Sequence, residues 1–320
     1  MVQAAVVHSW GASPKYTTID LPESTATQVR IKVVAAGLHT LVRSRAAGKH
    51  FSVANTSPPH IPGTDGVGTI IPSGELVYFN CLSAPTGSFA EEINVEKRDV
   101  FKLRDDVDPE AVAVIGNPAM SSWMALTARA GIKPGQEEEF SVAIVGATGV
   151  SGQAAVQISK ALGAKRIVAI GKPGAKLDKT RELGATSTIE LKDAKDTTDL
   201  SEAADVDIVL DYLWGDVANV VLTGIIAARK NKSQRLSWVQ IGSLAGDDSP
   251  ASASILRKAN VVLLGCGPGS WTFQELYAQL PTMLKLIASN KLTADYTVAE
   301  LSLVESWWND TSGPRKLVKP

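Results

Sequence analysis

Val145-Gly146-Ala147-Thr148-Gly149-Val150-Ser151-Gly152 is the segment that most narrows what this chain of 320 residues can fold into. It follows the apolar run Val142-Ala143-Ile144-Val145 and leads into a stretch with Ala155, Ile158 and Leu162 at helical spacing. A strand, a tight turn and a helix are therefore expected in immediate succession. The turn reads A-x-G-x-x-G, with Ala147 in the slot of the first glycine of the dinucleotide-binding fingerprint. Gly149 would let the backbone approach a pyrophosphate, and Gly152 would let the helix pack closely on the strand. Free N–H groups and the dipole at the helix start favour negative charge there. Ala147, Thr148, Gly149 and Val150 are thus candidate cofactor-binding positions. The alternative is a turn needed only for packing.

The end of the second strand decides between the two nicotinamide cofactors. An NAD-binding chain usually carries an acidic residue there, about 20 residues past the glycines, to hold the ribose hydroxyls. This chain has Ile170-Gly171-Lys172-Pro173-Gly174-Ala175-Lys176 instead. Gly171 leaves room for a 2′-phosphate, and Lys172 or Lys176 could supply positive charge, so NADPH is expected. Both lysines are otherwise ordinary solvated side chains.

Around this unit the texture of the chain changes twice. Residues 1–118 are rich in Val, Thr, Gly and Pro, with β-type runs such as Val29–Val34 and turn signals at Pro58-Pro59, Pro62-Gly63 and Pro72-Ser73-Gly74. They predict a small, mostly antiparallel β domain. Residues 119–292 alternate strands with helix-length segments: Arg166–Ile170, Val206–Leu210, Trp238–Ile241 and Val261–Leu264 continue the series. That alternation implies a parallel sheet with crossover helices, both faces covered. Residues 293–320 return to short β-type runs and are expected to join the first domain. The fold class is α/β.

Composition removes several classes of function. Lys and Arg number 32 against 33 Asp and Glu, which argues against a nucleic-acid binder with its basic face. No apolar run approaches the roughly 18 residues of a membrane span, and the start of the chain lacks the pattern of a secretory signal, so a cytoplasmic protein is expected. With two cysteines, Cys81 and Cys266, a disulfide scaffold and a multi-cysteine zinc site are both excluded.

Taken together, the chain resembles the medium-chain dehydrogenases/reductases, and within them the zinc-free quinone oxidoreductase (zeta-crystallin-like) branch. The likeness is carried by Pro62–Gly68, Asn117–Trp123, the glycine turn with Gln153–Ile158, Glu182–Ala185, Ile241–Ser243 and Gly265–Gly267. It implies a GroES-like β-barrel domain paired with a Rossmann domain, NADPH as cofactor, and a homodimer formed edge to edge, with residues 259–264 as the candidate edge. Zinc-dependent relatives carry a Cys near Gly37-Leu38-His39 and a His where Thr64 stands; this chain has neither, and His8, His39, His50 and His60 show no ligand spacing. No metal is expected.

The resemblance also locates candidate chemistry. Relatives place an Asn, an Asp and a Tyr near the nicotinamide where this chain has His39, Val42 and Ser44. His39, Ser44 and Arg45 are the polar candidates that remain: His39 to donate to a carbonyl oxygen, Ser44 to orient it, Arg45 to bind an acidic substrate or the cofactor phosphates. Their ordinary alternatives are a satisfied, partly buried imidazole, a helix cap and a solvated face. Asn117 and Ser121, expected to begin a helix, and Ser243 and Leu244, after a strand, match stretches that contact the nicotinamide in relatives. Cys266 is expected to line the site as a small buried hydrophobe. Tyr212 and Trp214 could cover the adenosine or pack in the core. The reaction implied is hydride transfer from NADPH to a small-molecule quinone or α,β-unsaturated carbonyl. The alternatives are a carbonyl/alcohol oxidoreductase and an NADPH-binding regulatory or structural protein without turnover.

Overall fold

Val, Ile and Thr runs broken by Pro and Gly supply the strands at both ends of the chain, and longer Ala- and Leu-bearing segments supply the helices of its middle. The computed structural model describes residues 1–320 except 83, 85, 105, 136–138, 192–197 and 249–252. Two compact units result, Met1–Asn117 with Thr293–Pro320 and Pro118–Leu292.

In the first unit β1 (Val2–Val6) pairs antiparallel with β2 (Lys15–Ile19). The longest strand, β3 (Gln28–Gly37), leads to helix α1 (Thr40–Ala46). Strands β4 (Asp65–Ile71), β5 (Leu76–Asn80), β6 (Glu92–Glu96) and β7 (Val100–Lys102) follow, and then helix α2 (Pro109–Met124), whose first part belongs to this unit. From the far end of the chain come β14 (Tyr296–Glu300), the short helix α8 (Val304–Trp307) and β15 (Arg315–Lys319). The seven-stranded sheet runs β14-β15-β3-β4-β5-β7, with β6 paired to β3. All these pairings are antiparallel except β14 with β15. Phe89, Trp307 and Trp308 close one core of this unit edge to face, with ring centroids 6.4 Å apart, alongside Val42, Leu301, Val304 and Val318. Each such aromatic pair adds about 0.5–1.5 kcal/mol beyond the area it buries.

The second unit holds β8 (Ser141–Val145), α3 (Val150–Ala161), β9 (Arg166–Gly171), α4 (Ala175–Leu183), β10 (Ser187–Glu190) and β11 (Ile208–Asp211). The helix α5 (Gly215–Ala228), β12 (Leu236–Gln240), α6 (Ala253–Lys258), β13 (Val261–Gly265) and α7 (Phe273–Ala288) complete it. All six strands are parallel, in the order β10-β9-β8-β11-β12-β13. In chain order this is 3-2-1-4-5-6, the Rossmann arrangement, and the α/β fold expected from sequence is borne out. The central strands β8, β9 and β11 are apolar and buried almost throughout, as parallel strands covered on both faces must be. The terminal strand β13 is only partly covered, with Leu263 39% exposed.

Asn117 and Ser121 do not begin a helix. They lie in the second half of α2, which starts eight residues before Asn117 at Pro109. Pro118 sits inside α2, and a π-helical turn, Ala125–Arg129, follows. An internal proline removes one backbone hydrogen bond, which is why the sequence there reads as a boundary.

Candidate functional site

The glycine turn lies where the strand order of the second unit reverses, at the carboxyl end of β8 and beside that of β11, the position at which open parallel sheets bind ligands. Gly146 takes φ +91°, and its N–H and that of Ala147 both donate to Ile170 O, at 2.9 and 3.0 Å. The Ala147 methyl is fully buried. A Cβ on Gly152 would come within 2.4 Å of Gly146 O, so only glycine lets α3 approach the turn this closely. At Gly149 the opposite holds: a Cβ would meet nothing nearer than Gly146 O at 3.7 Å. The first turn of α3 therefore faces open space, with its N–H groups and dipole end turned toward a would-be anion. That geometry fits a dinucleotide pyrophosphate.

Gly171 ends β9 with its α-hydrogen against Thr148, where a Cβ would fall 2.7 Å from the threonine methyl. The glycine thus makes room for Thr148 as much as for a ligand. Lys172 and Lys176 are exposed, one after β9 and the other in the first turn of α4.

A hydrogen-bonded frame backs the turn. Asp211, fully buried, accepts from the backbone N–H groups of Leu213 (2.9 Å) and Trp214 (3.0 Å) on Oδ1 and from Trp238 Nε1 (3.1 Å) on Oδ2. Burial pushes this carboxyl up, against the three bonds that favour its ionised form. Trp214 is held at φ +55° by this frame and donates its indole N–H to Asp247 O. The Tyr212 hydroxyl, raised by burial, lies 2.6 Å from Ser122 Oγ, which also donates to Ser151 O in the first turn of α3. Tyr212 is therefore a core residue tying the end of β11 to α2, and Ser122 ties α2 to α3. Ser122 lay in the matched stretch Asn117–Trp123 without a role.

Ser121 and Cys266 meet: the Cys266 thiol donates to Ser121 O at 3.7 Å, and burial lifts the thiol to about 11. Asn117, partly buried, lies one turn earlier on α2. Ser243 and Leu244 are exposed after β12, Leu244 to 72%. A depression of about 360 Å³ lies beside Ser243, lined also by Trp214, Trp238, Gln240, Asp247 and Leu263.

In the first unit His39 precedes α1 and is 2% exposed. Its ring folds over Gly37, where a Cβ would come within 2.4 Å of Cε1. Arg315 Nη1 lies 2.5 Å from Nδ1, which places the imidazole proton on Nε2. Nε2 sits 3.1 Å from Asp65 Oδ1, too far off the N–H axis for a hydrogen bond. Asp65 in turn accepts from Thr64 Oγ1 (2.8 Å) and the Tyr78 hydroxyl (3.0 Å). Burial lowers the His39 value most and Arg315 adds to it, while Asp65 pulls the other way. Arg315, buried as well, is drawn down to about 10. The result is a neutral imidazole enclosed by partners from β4 and β15. Sequence singled out His39 but not Arg315, which lies 276 residues away; Asp65 lay in a matched stretch without a role.

Ser44 is half-buried inside α1, where its backbone O accepts from Lys49 N, so it does not cap the helix. Arg45 is 5% exposed and is no solvated side chain. Among the described residues no group of three or more His, Cys, Asp or Glu side chains is placed to hold a metal ion. None of their helices is long and apolar enough to cross a membrane.

No family model matches the chain. A probable NADPH-dependent quinone reductase of Emericella nidulans, tdiC, is 28% identical over the full length of both proteins. Human quinone oxidoreductase is 32% identical over 150 residues, covering 43% of this chain and 42% of its own. Among solved structures, the quinone oxidoreductase of Thermus thermophilus, also determined with NADPH, has a TM-score of 0.75 at 21% identity, covering 99% of this chain and 100% of its own. A putative NADPH:quinone reductase of Bacillus thuringiensis has a TM-score of 0.79 at 16% identity, covering 100% and 99%. These structural likenesses establish the fold.

Proposed function

We infer that this chain, a member of the zinc-free quinone oxidoreductase branch of the medium-chain dehydrogenases/reductases, is an NADPH-dependent reductase of a quinone or an α,β-unsaturated carbonyl. The observation that carries this reading is the turn at Gly149, open to solvent over the first turn of α3 and flanked by two glycines that shape it. The full-length likeness to a probable NADPH-dependent quinone reductase supports it.

The residues divide the work. Thr148, Gly149 and Val150 hold the pyrophosphate on backbone N–H groups, with Ala147 packing the turn beneath them. Lys172, just after β9, and Lys176, in the first turn of α4, supply countercharge to a 2′-phosphate, with Gly171 ending β9 where an acidic residue would hold the ribose hydroxyls. Asn117, Ser121, Ser243, Leu244 and Cys266 border the nicotinamide end. Bound NADPH supplies the hydride. His39, enclosed and neutral, is a positioning residue that fixes the start of α1 rather than a proton donor. On that helix Ser44 is the group left to orient an acceptor oxygen, and Arg45 the one left to bind an acidic substrate. A cytoplasmic homodimer joined through β13 completes the reading.

Titration with NADPH and NADH followed by fluorescence, then oxidation at 340 nm with a panel of quinones and enones, tests it. Tighter binding of NADPH by at least about tenfold, with turnover, is the expected outcome. Binding of neither nucleotide, or binding with no turnover on any acceptor, overturns the reductase assignment.

A further inference from the structure

The last turn of α1 carries a buried cation, Arg45, with two of its three nitrogens unpartnered among the described residues. Arg45 is 5% exposed, and among the described residues no group bonds its Nε or its Nη1. The neighbour that favours its charge is Cys81, whose thiol is itself buried and pushed up to about 12, and so is neutral at pH 7. Arginine stays protonated regardless. A buried charge without a counter-charge is among the costliest things a fold can keep, and an unsatisfied buried donor calls for a partner.

The surroundings are aromatic. Gly11 N donates to Ala46 O at 3.1 Å, bringing the segment with Trp10 onto the end of α1. The Trp10 indole covers Gly48, where a Cβ would fall 2.7 Å from the ring, and its centroid is 5.4 Å from that of His60. His60 is 7% exposed and its Nε2 is a second buried nitrogen with no partner. His50 stacks on Phe51 at 4.2 Å, and Phe51 is 65% exposed. The charge of Arg45 reaches both histidines and, after burial, helps hold each below its ordinary value, His60 at about 4. The cluster thus grades from buried Arg45 and His60, through half-buried Trp10 and His50, to an exposed phenyl ring.

We propose that Arg45, with His60, Trp10, His50 and Phe51, forms a binding site for a carboxylate borne on a planar ring. The guanidinium pairs with the carboxylate and the ring lies among the aromatic side chains. That the bound acid is the hydride acceptor rests on the reductase reading above; the site itself does not.

Benzoate is the probe and benzamide its neutral control, on the whole chain. About 10 mM benzoate is expected to raise Tm by about 2–4 °C, and benzamide by less than about 0.5 °C. Arg45→Met, which keeps the length and removes the charge, is expected to melt about 2–4 °C above wild type without ligand and to lose the benzoate shift. Arg45→Lys is expected to keep part of that shift. A methionine variant that unfolds or melts below wild type overturns the proposal, because the charge then stabilises the fold. So does an absent benzoate shift in wild type, or an equal shift with benzamide. A shift with inorganic phosphate that NADPH abolishes would give Arg45 to the cofactor phosphates and overturn the acid site. NADPH titration of the same sample separates the two readings: binding of NADPH without benzoate removes the site alone, and binding of benzoate without NADPH removes the reductase assignment alone.

Discussion

Gly149 and Gly152 share one turn and are glycine for opposite reasons. At Gly149, φ −78° suits any residue, and a side chain would enter the open space over the first turn of α3. Gly149→Val is expected to fold with Tm within about 2 °C of wild type, yet to bind NADPH at least about tenfold more weakly by fluorescence titration. At Gly152 the added carbon meets the backbone at Gly146 O and Ala147 Cα, 2.4 and 2.6 Å away. Gly152→Ala should therefore lose about 1–3 kcal/mol of stability in urea unfolding. His60 makes a pH prediction. Its ring titrates at about 4 when folded against 6.5 unfolded, so the unfolded chain binds more protons between those values. The stability carried by the neutral ring is complete above pH 6.5 and is lost as pH falls toward 4; His39 and His50, also lowered mainly by burial, act in the same direction. Tm should fall between pH 7 and 5, and the fall should be shallower in His60→Gln. The glycines were legible in the sequence because their roles are local to one turn. The burial of Arg45 and the Arg315–His39 contact were not: an arginine is ordinarily exposed, and no periodicity reports a partner from a distant strand.

Between residue and domain, the connection from β11 to α5 is the element most dependent on a single side chain. Asp211→Ala would leave the N–H groups of Leu213 and Trp214 and the indole of Trp238 without their acceptor, and would release Trp214 from its positive φ. Destabilisation of about 3 kcal/mol is expected from chemical unfolding, with the loss of the bond from Trp238 visible as an altered indole N–H resonance. Elements buried on both faces announced themselves: the apolar runs behind β8, β9, β11 and β12 were read within a few residues, and the run behind β13 was read as well although that strand is only partly covered. The strand β10 was not, because Ser187-Thr188-Ile189-Glu190 sits at the sheet edge and buries only Ile189. For α2 the sequence misplaced the start, since Pro118 reads as a boundary while the helix runs through it.

At the scale of the molecule, the first unit is assembled from two stretches of chain, and β15 is not a peripheral addition to it. It lies between β14 and β3, and its first residue is the Arg315 that encloses His39. Deleting residues 315–320 should cost β14 and the end of β3 at Ala36 and Gly37 their protection in hydrogen exchange, while amides of β8 and β9 keep theirs, since those strands pair only within the second unit. The same interleaving sets a timetable during synthesis. Residues 118–292 leave the ribosome as an uninterrupted stretch, with every strand of their sheet already made. By contrast, β3 pairs early with β4 and β6, but its end at Ala36 and Gly37 must wait through all of that elongation for β15, an open stretch of edge for other chains. Closure of the first unit is thereby tied to residues made only after the whole of the second, and a chain halted between the two keeps that end of β3 exposed to its neighbours.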